Sequence, residues 1–218
     1  MIESPDQLIL VNKPLRWTSF DVVHNLRKIL KIKKIGHAGT LDPLATGLLI
    51  ICTGKMTKQI DSYQAQEKEY TGTFTLGQTT SSHDLETEVS TAIPVDHLTQ
   101  EQLEDCRKKF IGTISQTPPL HSAIKVDGKR AYEFARKGQA RELNPREVVI
   151  SEFDWRIELP IIHFRVICTK GTYIRSLARD VGQTLKVGAY LSSLCRTRIG
   201  EFRLEDAKTI EQIAAEYA

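Results

Sequence analysis

The sequence lacks the features that mark exported, membrane-spanning and disulfide-stabilised proteins. No apolar run approaches the ~18 residues that a membrane helix needs, and the first residues, MIESPDQLIL, carry acids where a signal peptide carries positive charge. The four cysteines form no C-x-x-C pair and mostly lie in apolar runs, which predicts buried thiols in a reducing compartment: Cys52, Cys106, Cys168 and Cys195. We therefore expect a soluble, cytoplasmic protein.

Signatures of metal and nucleotide sites are also missing. The six histidines are dispersed, with no pair at ligand spacing on one helical face, which argues against a metal hydrolase. The one glycine-rich run ends neither in the Gly-Lys-Ser/Thr of a P-loop nor in the glycine spacing of a dinucleotide fold, so a nucleotide-binding enzyme is only weakly indicated. We expect that the protein uses no metal and no cofactor.

Charge is small in sum but uneven along the chain. The net charge of the 218 residues is +3, too mild to establish nucleic-acid binding by itself. Five basic residues and no acid lie between Arg27 and Lys34, whereas Glu69 to Cys106 contains no Lys or Arg at all. This distribution predicts that one face of the protein meets a polyanion.

A content of 40% hydrophobic residues suffices for a sizeable core. We expect the chain to form a single domain over residues 1–218.

The most unusual stretch is Gly36 to Leu49, GHAGTLDPLATGLL, in which three glycines surround one acid, Asp42. Glycine suits positive φ angles and close approach of the backbone to another body, so the stretch predicts a shaped loop. An alternative is that Asp42 caps a short helix that begins at Pro43 and ends near Gly47.

The surroundings of this loop favour a functional role for its carboxylate. His37 lies in the same loop, directly after the basic segment, so the acid is placed beside a surface suited to phosphates. The run continues into the apolar stretch Leu48 to Thr53, which predicts a buried strand that would hold the loop in place.

The loop resembles the signature of the TruB-type tRNA pseudouridine synthases, which isomerise uridine 55 in the T-arm of tRNA. The resemblance implies that Asp42 is the catalytic aspartate and that His37 helps to hold the opened T-loop. Four further stretches are also similar to motifs of that family: NKPLRWTSFDVV, QTPPLHSAIKVDGKRAYEFARKG, KGTYIRSLARD and VGAYLSSLCRTRIGEF. The second of them predicts an amphipathic helix that ends at Gly138. In the first, Arg16 stands where the family often has glycine. Taken together, these matches imply further substrate-binding residues: His37, Tyr173, Leu194, Lys13, Lys125, Gly39 and Thr40.

Tyr70 begins the inner face of a predicted strand, Lys68 to Gly77, in which apolar residues alternate with threonines. From the pattern alone, a core tyrosine with its hydroxyl bonded to backbone is the simpler interpretation. The family resemblance implies instead that Tyr70 is catalytic, stacking on a flipped base and assisting proton transfer.

Arg175 lies in the first turn of a predicted helix, where the helix dipole disfavours a cation and a nearby anion is required. We predict that this anion is Asp42, because an arginine partner keeps a carboxylate ionised and fixes its rotamer. A surface arginine bonded to its own helix is the alternative. The resemblance of KGTYIRSLARD to a family motif implies that Arg175 is catalytic and bridges to Asp42. The polar segment Gly77 to Asp84 predicts a turn with no part in the chemistry.

The spacing of the patterns predicts only many short strands and a few helices. The family resemblance implies an α+β pseudouridine synthase fold, with a large, bent, mostly antiparallel mixed sheet flanked by helices and a central active-site cleft. The expected activity is the isomerisation of uridine 55 in the T-arm of tRNA; the alternative is a non-catalytic tRNA-binding or tRNA-folding protein. We expect a monomer that requires no protein partner and does not bind membranes. Many members of that family continue into a small RNA-binding PUA domain, which we do not expect in this chain.

Overall fold

The computed structural model describes residues 6–120, 125–126, 129–130 and 143–217. The chain divides into two compact units. The first contains Met1–Thr71 with Leu194–Ala218, and the second contains Gly72–Ser193. None of the described helices is both long enough and apolar enough to cross a membrane.

The first unit consists of short strands and helices around one buried strand. Its elements in chain order are β1 (Leu8–Lys13), α1 (Ser19–Leu30), β2 (Ile35–Ala38), β3 (Ala45–Thr53), a 3₁₀ turn (Gly54–Gln59), α2 (Ile60–Ala65), the start of β4 (Lys68–Leu76), the end of β10 (Ala189–Ile199), β11 (Phe202–Arg203), a second 3₁₀ turn (Leu204–Asp206) and α5 (Ile210–Glu216). The sequence predicts one acidic helix from Glu205 to Ala218, but the structure divides this segment, because Leu204–Asp206 is a 3₁₀ turn and Thr209 caps a separate α5.

Strand β3 is central because it pairs on both sides. It is antiparallel to β1 and β2 and parallel to β10, where Leu194 lies opposite Ala45. Its residues alternate between two buried clusters, Leu49 and Ile51 facing α1 and Leu48 and Ile50 on the other side. Burial on both faces explains why the strand is a continuous apolar run in the sequence.

Helix α1 begins where the sequence predicts, since Thr18 and Ser19 are both residue types that cap helices and an apolar residue pattern of helical period follows them. Thr18 is the N-cap, and its side chain exchanges hydrogen bonds with Asp21 in a capping box. The buried face carries Val22, Val23, Leu26 and Leu30, all in the same cluster as β3. The N-terminus of this helix is thus fixed both by its cap and by the core.

The described residues of the second unit form antiparallel strand pairs and two helices. Its elements are the end of β4, α3 (Gln100–Lys108), β5 (Gly112–Gln116), β6 (Lys125–Val126), β7 (Lys129–Arg130), β8 (Arg146–Glu158), β9 (Ile161–Cys168), α4 (Ile174–Thr184) and the start of β10. The strands β5, β8 and β9 pair in that order, and β6 pairs with β7. The predicted amphipathic helix that ends at Gly138 lies outside the described residues.

The sequence predicts two features of this unit that the structure confirms, a capping box of Thr99 with Gln102 and a helix after Thr172 whose apolar residues face inward. Thr99 and Gln102 form a capping box at the start of α3, and the apolar face of α4 is buried at Ile174, Leu177, Ala178 and Val181. Stacked rings of Phe74 and Phe164, with centroids 4.2 Å apart, contribute to the core.

The predicted α+β fold with a mixed sheet is confirmed, with five described helices beside the strands. The alternative in which Asp42 caps a helix is wrong, because Pro43 and Leu44 form a turn and β3 already begins at Ala45.

Candidate active site

Asp42 lies in the loop that joins β2 to β3 and is half-buried. Gly39 has φ +89°, a conformation that glycine adopts without strain, so the loop can turn there. The N–H of Ala45 donates to the Asp42 carbonyl at 3.0 Å, which closes the turn before β3. Thr40, between these points, is exposed. The acid therefore sits between a glycine turn and the start of a rigid strand.

The turn after β1 packs its backbone against this loop. The N–H of Arg16 donates to the carbonyl of Pro43 at 2.7 Å. Arg16 has φ +67°, the left-handed region that favours glycine, so this chain keeps the glycine-like turn although the residue is an arginine. The position of the residue that follows Asp42 is thus fixed by a turn far from it in sequence.

Lys13 is fully buried beneath the same turn. Its ammonium donates to the carbonyls of Trp17 (2.5 Å) and Pro14 (3.0 Å) and lies 3.5 Å from that of Pro43. Because these main-chain carbonyls accept the hydrogen bonds of its ammonium, Lys13 stabilises the turn and the loop from the protein interior. Direct contact of Lys13 with substrate stays a prediction.

The electrostatics of Lys13 connect it to the carboxylate. Burial lowers the pKa of Lys13 to about 8, attraction to Asp42 opposes the fall, and repulsion by Arg196 adds to it. At pH 7 the ammonium is therefore still charged, and its field favours the ionised form of Asp42.

Arg196, on β10, is the second buried cation near the loop, with 1% of its surface exposed. Its Nε donates to the carbonyl of Leu48 at 2.8 Å and its Nη2 to that of Gly39 at 3.1 Å. Burial and, secondly, the Arg196 charge lower the pKa of His37, so the imidazole is neutral at pH 7. Sequence reasoning missed Arg196, since an arginine in a strand ordinarily predicts a solvent-facing position.

The structure brings Leu194 to the start of β3. In the parallel pairing of β10 with β3, Leu194 is opposite Ala45, three residues after Asp42. Tyr70, half-buried on β4, follows Glu69, whose carboxylate accepts a hydrogen bond from Thr197 of β10 at 2.7 Å. In the first unit, Gly39, Asp42 and Leu194 thus lie near the first residues of β3. His37 lies on β2 rather than in the loop, opposite Ile51 near the far end of β3.

In the second unit, Arg175 lies in the first turn of α4 with 3% of its surface exposed. Its Nε is 3.6 Å from Oδ2 of the buried Asp84, and its Nη1 donates to the carbonyl of Ser82 at 3.3 Å. Asp84 is thus an anion that compensates a cation at a helix N-terminus. The sequence patterns did not predict that the segment Gly77 to Asp84 supplies the carboxylate that pairs with Arg175. The feature that could have indicated it is that this polar segment ends in a single acid, Asp84. The pairing of Arg175 with Asp42 stays a prediction.

Tyr173 is the N-cap of α4, and its N–H donates to Oε1 of the buried Gln116 at 2.8 Å. One turn later the hydroxyl of Ser176 donates to the carbonyl of Thr117 at 2.8 Å. These bonds fasten the first turn of α4, with Tyr173 and Arg175, to the end of β5. Lys125 lies opposite Arg130 in the pairing of β6 with β7, and the structure describes only its backbone.

Comparison with known proteins identifies the family. A family model described as the N-terminal domain of TruB family pseudouridylate synthases matches residues 27–174. The chain belongs to this TruB family. A second model, for the C-terminal domain of tRNA pseudouridylate synthase B, matches residues 175–218.

Relatives within the TruB family are similar over nearly their whole length. A protein of Parabacteroides distasonis named tRNA pseudouridine synthase B is 53% identical over 214 residues, covering 95% of this chain and 91% of the relative. One of the same name from Flavobacterium johnsoniae is 52% identical over 209 residues, covering 92% and 91%.

Solved structures share the fold of this TruB family chain. The crystal structure of a Cbf5–Nop10–Gar1 complex contains a chain that is 31% identical, with a TM-score of 0.77, covering 100% of this chain and 56% of that one. The archaeal box H/ACA sRNP Nop10–Cbf5 complex gives 25% identity, a TM-score of 0.72, and coverage of 98% and 54%. This chain thus spans about half the length of those structures' matched chains.

Proposed function

We propose that this chain is a tRNA pseudouridine synthase that converts uridine 55 in the T-arm to pseudouridine. The observation that carries the proposal is Asp42, a carboxylate in a loop fixed by backbone contacts and flanked by a buried cation, in a chain of the TruB family. The names of the relatives support tRNA as the substrate. We propose that the protein acts in the cytoplasm, as a monomer with a single catalytic domain.

The reaction breaks the bond from N1 to C1′, turns the base and joins C5 to C1′, so it needs no oxidant and consumes no water. Ionised Asp42 acts either by attacking the base or ribose or by removing a proton to give a glycal. Both routes require the carboxylate to be charged, and the ammonium of Lys13 favours that state.

The target uridine must leave the folded T-loop before Asp42 can reach it, which costs a few kcal/mol of unstacking. Tyr70 provides a face on which the flipped base stacks, and Leu194 provides an apolar wall beside the start of β3. Neutral His37 occupies the space that the base leaves in the opened loop, where a charge would be poorly solvated.

Two residues of the second unit complete the proposed chemistry. Arg175 pairs with Asp42 and orients it, while Asp84 and the carbonyl of Ser82 hold the guanidinium. Tyr173 lines the uracil pocket from the N-cap of α4.

The basic segment at the end of α1 supplies phosphate contacts. Arg27 is half-buried, and the four lysines are exposed: Lys28, Lys31, Lys33 and Lys34. Phosphate contacts position a nucleic acid without reading its sequence, so this surface orients the T-arm while the loop selects the uridine.

Tritium release tests the function. In tRNA transcribed with 5-tritiated uridine, formation of the bond at C5 expels the label, so the native protein should release tritium and Asp42→Asn should release none. Asp61→Asn, at an exposed acid on α2, is the matched control and should remain active.

Filter binding separates synthase from binding protein. Asp42→Asn should bind tRNA with a Kd within about threefold of native, because one carboxylate among many contacts is altered. Replacing uridine 55 of the tRNA with cytidine should abolish tritium release by the native protein. A folded native protein that binds tRNA and releases no tritium would instead support the non-catalytic alternative.

A further inference from the structure

Ser19 makes two hydrogen bonds to the backbone of the residue that precedes Asp42. Its hydroxyl accepts from the N–H of Leu41 at 2.8 Å and donates to the carbonyl of Leu41 at 3.2 Å. Ser19 is 2% exposed and Leu41 is 3% exposed, so water does not compete for these bonds. One hydroxyl thus satisfies both polar groups of a buried loop residue.

The hydroxyl is presented by a rigid support. Ser19 is the first residue of α1, directly after the Thr18 cap. Four buried apolar residues anchor this helix in the core, so that truncating one leaves three in place: Val22, Val23, Leu26 and Leu30. The serine therefore has little freedom to follow the loop if the loop moves.

These bonds act on Asp42 through the peptide plane. The carbonyl of Leu41 belongs to the peptide bond whose nitrogen is that of Asp42, so fixing it fixes the backbone on the N-terminal side of the acid. On the other side, the N–H of Arg16 holds the carbonyl of Pro43. Asp42 is thereby clamped between two anchored neighbours.

We propose that Ser19 is a positioning residue for Asp42, acting through the backbone of Leu41 without touching the substrate. This inference rests on the proposed function. Since a misplacement of about 1 Å can cost roughly 100-fold in rate, loss of the clamp should slow the chemical step and leave tRNA binding unchanged.

The test compares Ser19→Ala with Val22→Ala, which removes core volume from the same helix and leaves the Leu41 bonds in place. At a temperature where circular dichroism shows both variants folded, the single-turnover rate constant of Ser19→Ala should fall about 10- to 100-fold. Its Kd for tRNA should stay within about twofold of native, and Val22→Ala should keep the native rate despite a lower Tm. A native rate in Ser19→Ala would overturn the proposal while the proposed function stood.

Amide hydrogen exchange supplies a readout independent of turnover. Exchange at the Leu41 N–H should accelerate at least tenfold in Ser19→Ala and remain near native in Val22→Ala. Unchanged protection of Leu41 in Ser19→Ala would overturn the clamp. If the native protein released no tritium, the proposed function would fail, and the exchange data would still decide whether Ser19 fixes the loop.

Discussion

Replacing Arg196 by methionine should both weaken the fold and change the titration of a histidine in the candidate site. The guanidinium is 1% exposed and donates to the carbonyls of Leu48 and Gly39. Methionine has a similar length but carries neither charge nor donors, so Arg196→Met removes both functions and leaves most of the volume filled.

The expected loss of stability follows from the two carbonyls. Leaving a buried acceptor without its partner costs about 1–3 kcal/mol, so two acceptors correspond to roughly 2–6 kcal/mol. Part of this loss is offset because folding of the variant no longer requires desolvation of a guanidinium. We therefore expect the free energy of unfolding to decrease by about 3 kcal/mol, which urea denaturation followed by circular dichroism would measure.

The electrostatic effect has a definite sign. Burial is the larger cause that lowers the pKa of His37, and the charge of Arg196 is the next. The pKa of His37 should therefore rise in Arg196→Met but remain below its ordinary value, because burial persists. An NMR titration of the imidazole Cε1–H resonance measures this shift.

Arg198→Met is the matched control for this experiment. Arg198 lies two residues further along β10 and bonds to the carbonyl of Gly200 and to Glu67, away from the loop. Its replacement should leave the His37 titration unchanged. A His37 pKa that stays constant or falls in Arg196→Met would refute the assigned electrostatics.

Two further substitutions test the remaining charges. The pKa of Lys13 is lowered to about 8 in the folded protein, and the unfolded chain binds more protons between that value and the ordinary one near 10.4. Over this pH window, the free energy of unfolding of the native protein should therefore rise with pH, relative to that of Lys13→Met, by up to ~1.4 kcal/mol per pH unit. Urea denaturation at several pH values measures both proteins, and two parallel plots of unfolding free energy against pH would contradict the prediction. Asp84→Asn leaves the buried Arg175 without its carboxylate, so stability should drop by about 3–5 kcal/mol and single-turnover tritium release should slow by at least tenfold. Glu86→Gln, at an exposed acid of the same loop, should change neither.

Local chemistry was predictable from the sequence because its causes are local. The capping box of Thr99 with Gln102, the start of α1 at Thr18 and the buried face of α4 depend on residues within a few positions of each other. Asp42 was identifiable for the same reason, as a single acid among glycines in one contiguous stretch.

Partners that are distant in sequence were not predictable from it. Arg196 reaches Gly39 across 157 positions, and Arg175 reaches Ser82 across 93. The sequence does not distinguish a buried arginine from one that faces solvent. The partners of these arginines are main-chain carbonyls, which every residue has, so no residue type in the sequence indicates them. Only strand register and burial identify such residues.

Gly47 shows how register changes the meaning of a residue. The sequence allowed it to end a short turn, but it lies inside β3 at φ +101°, opposite Arg196 of β10. A Cβ atom there would be 2.3 Å from the Arg196 carbonyl oxygen. The glycine therefore permits β10 to approach β3, which in turn places the Arg196 guanidinium beneath Gly39.

The geometry around Asp42 is consequently specified mostly by residues outside its loop. The N–H of Arg16, the ammonium of Lys13 and the guanidinium of Arg196 all bind main-chain carbonyls, at Pro43, Leu48 and Gly39. Because those acceptors are present whatever the loop side chains are, substitutions within the loop can change its chemistry while the frame persists. Substitutions in the frame should instead displace Asp42 without altering any group that meets the substrate, and so should slow turnover more than they weaken tRNA binding.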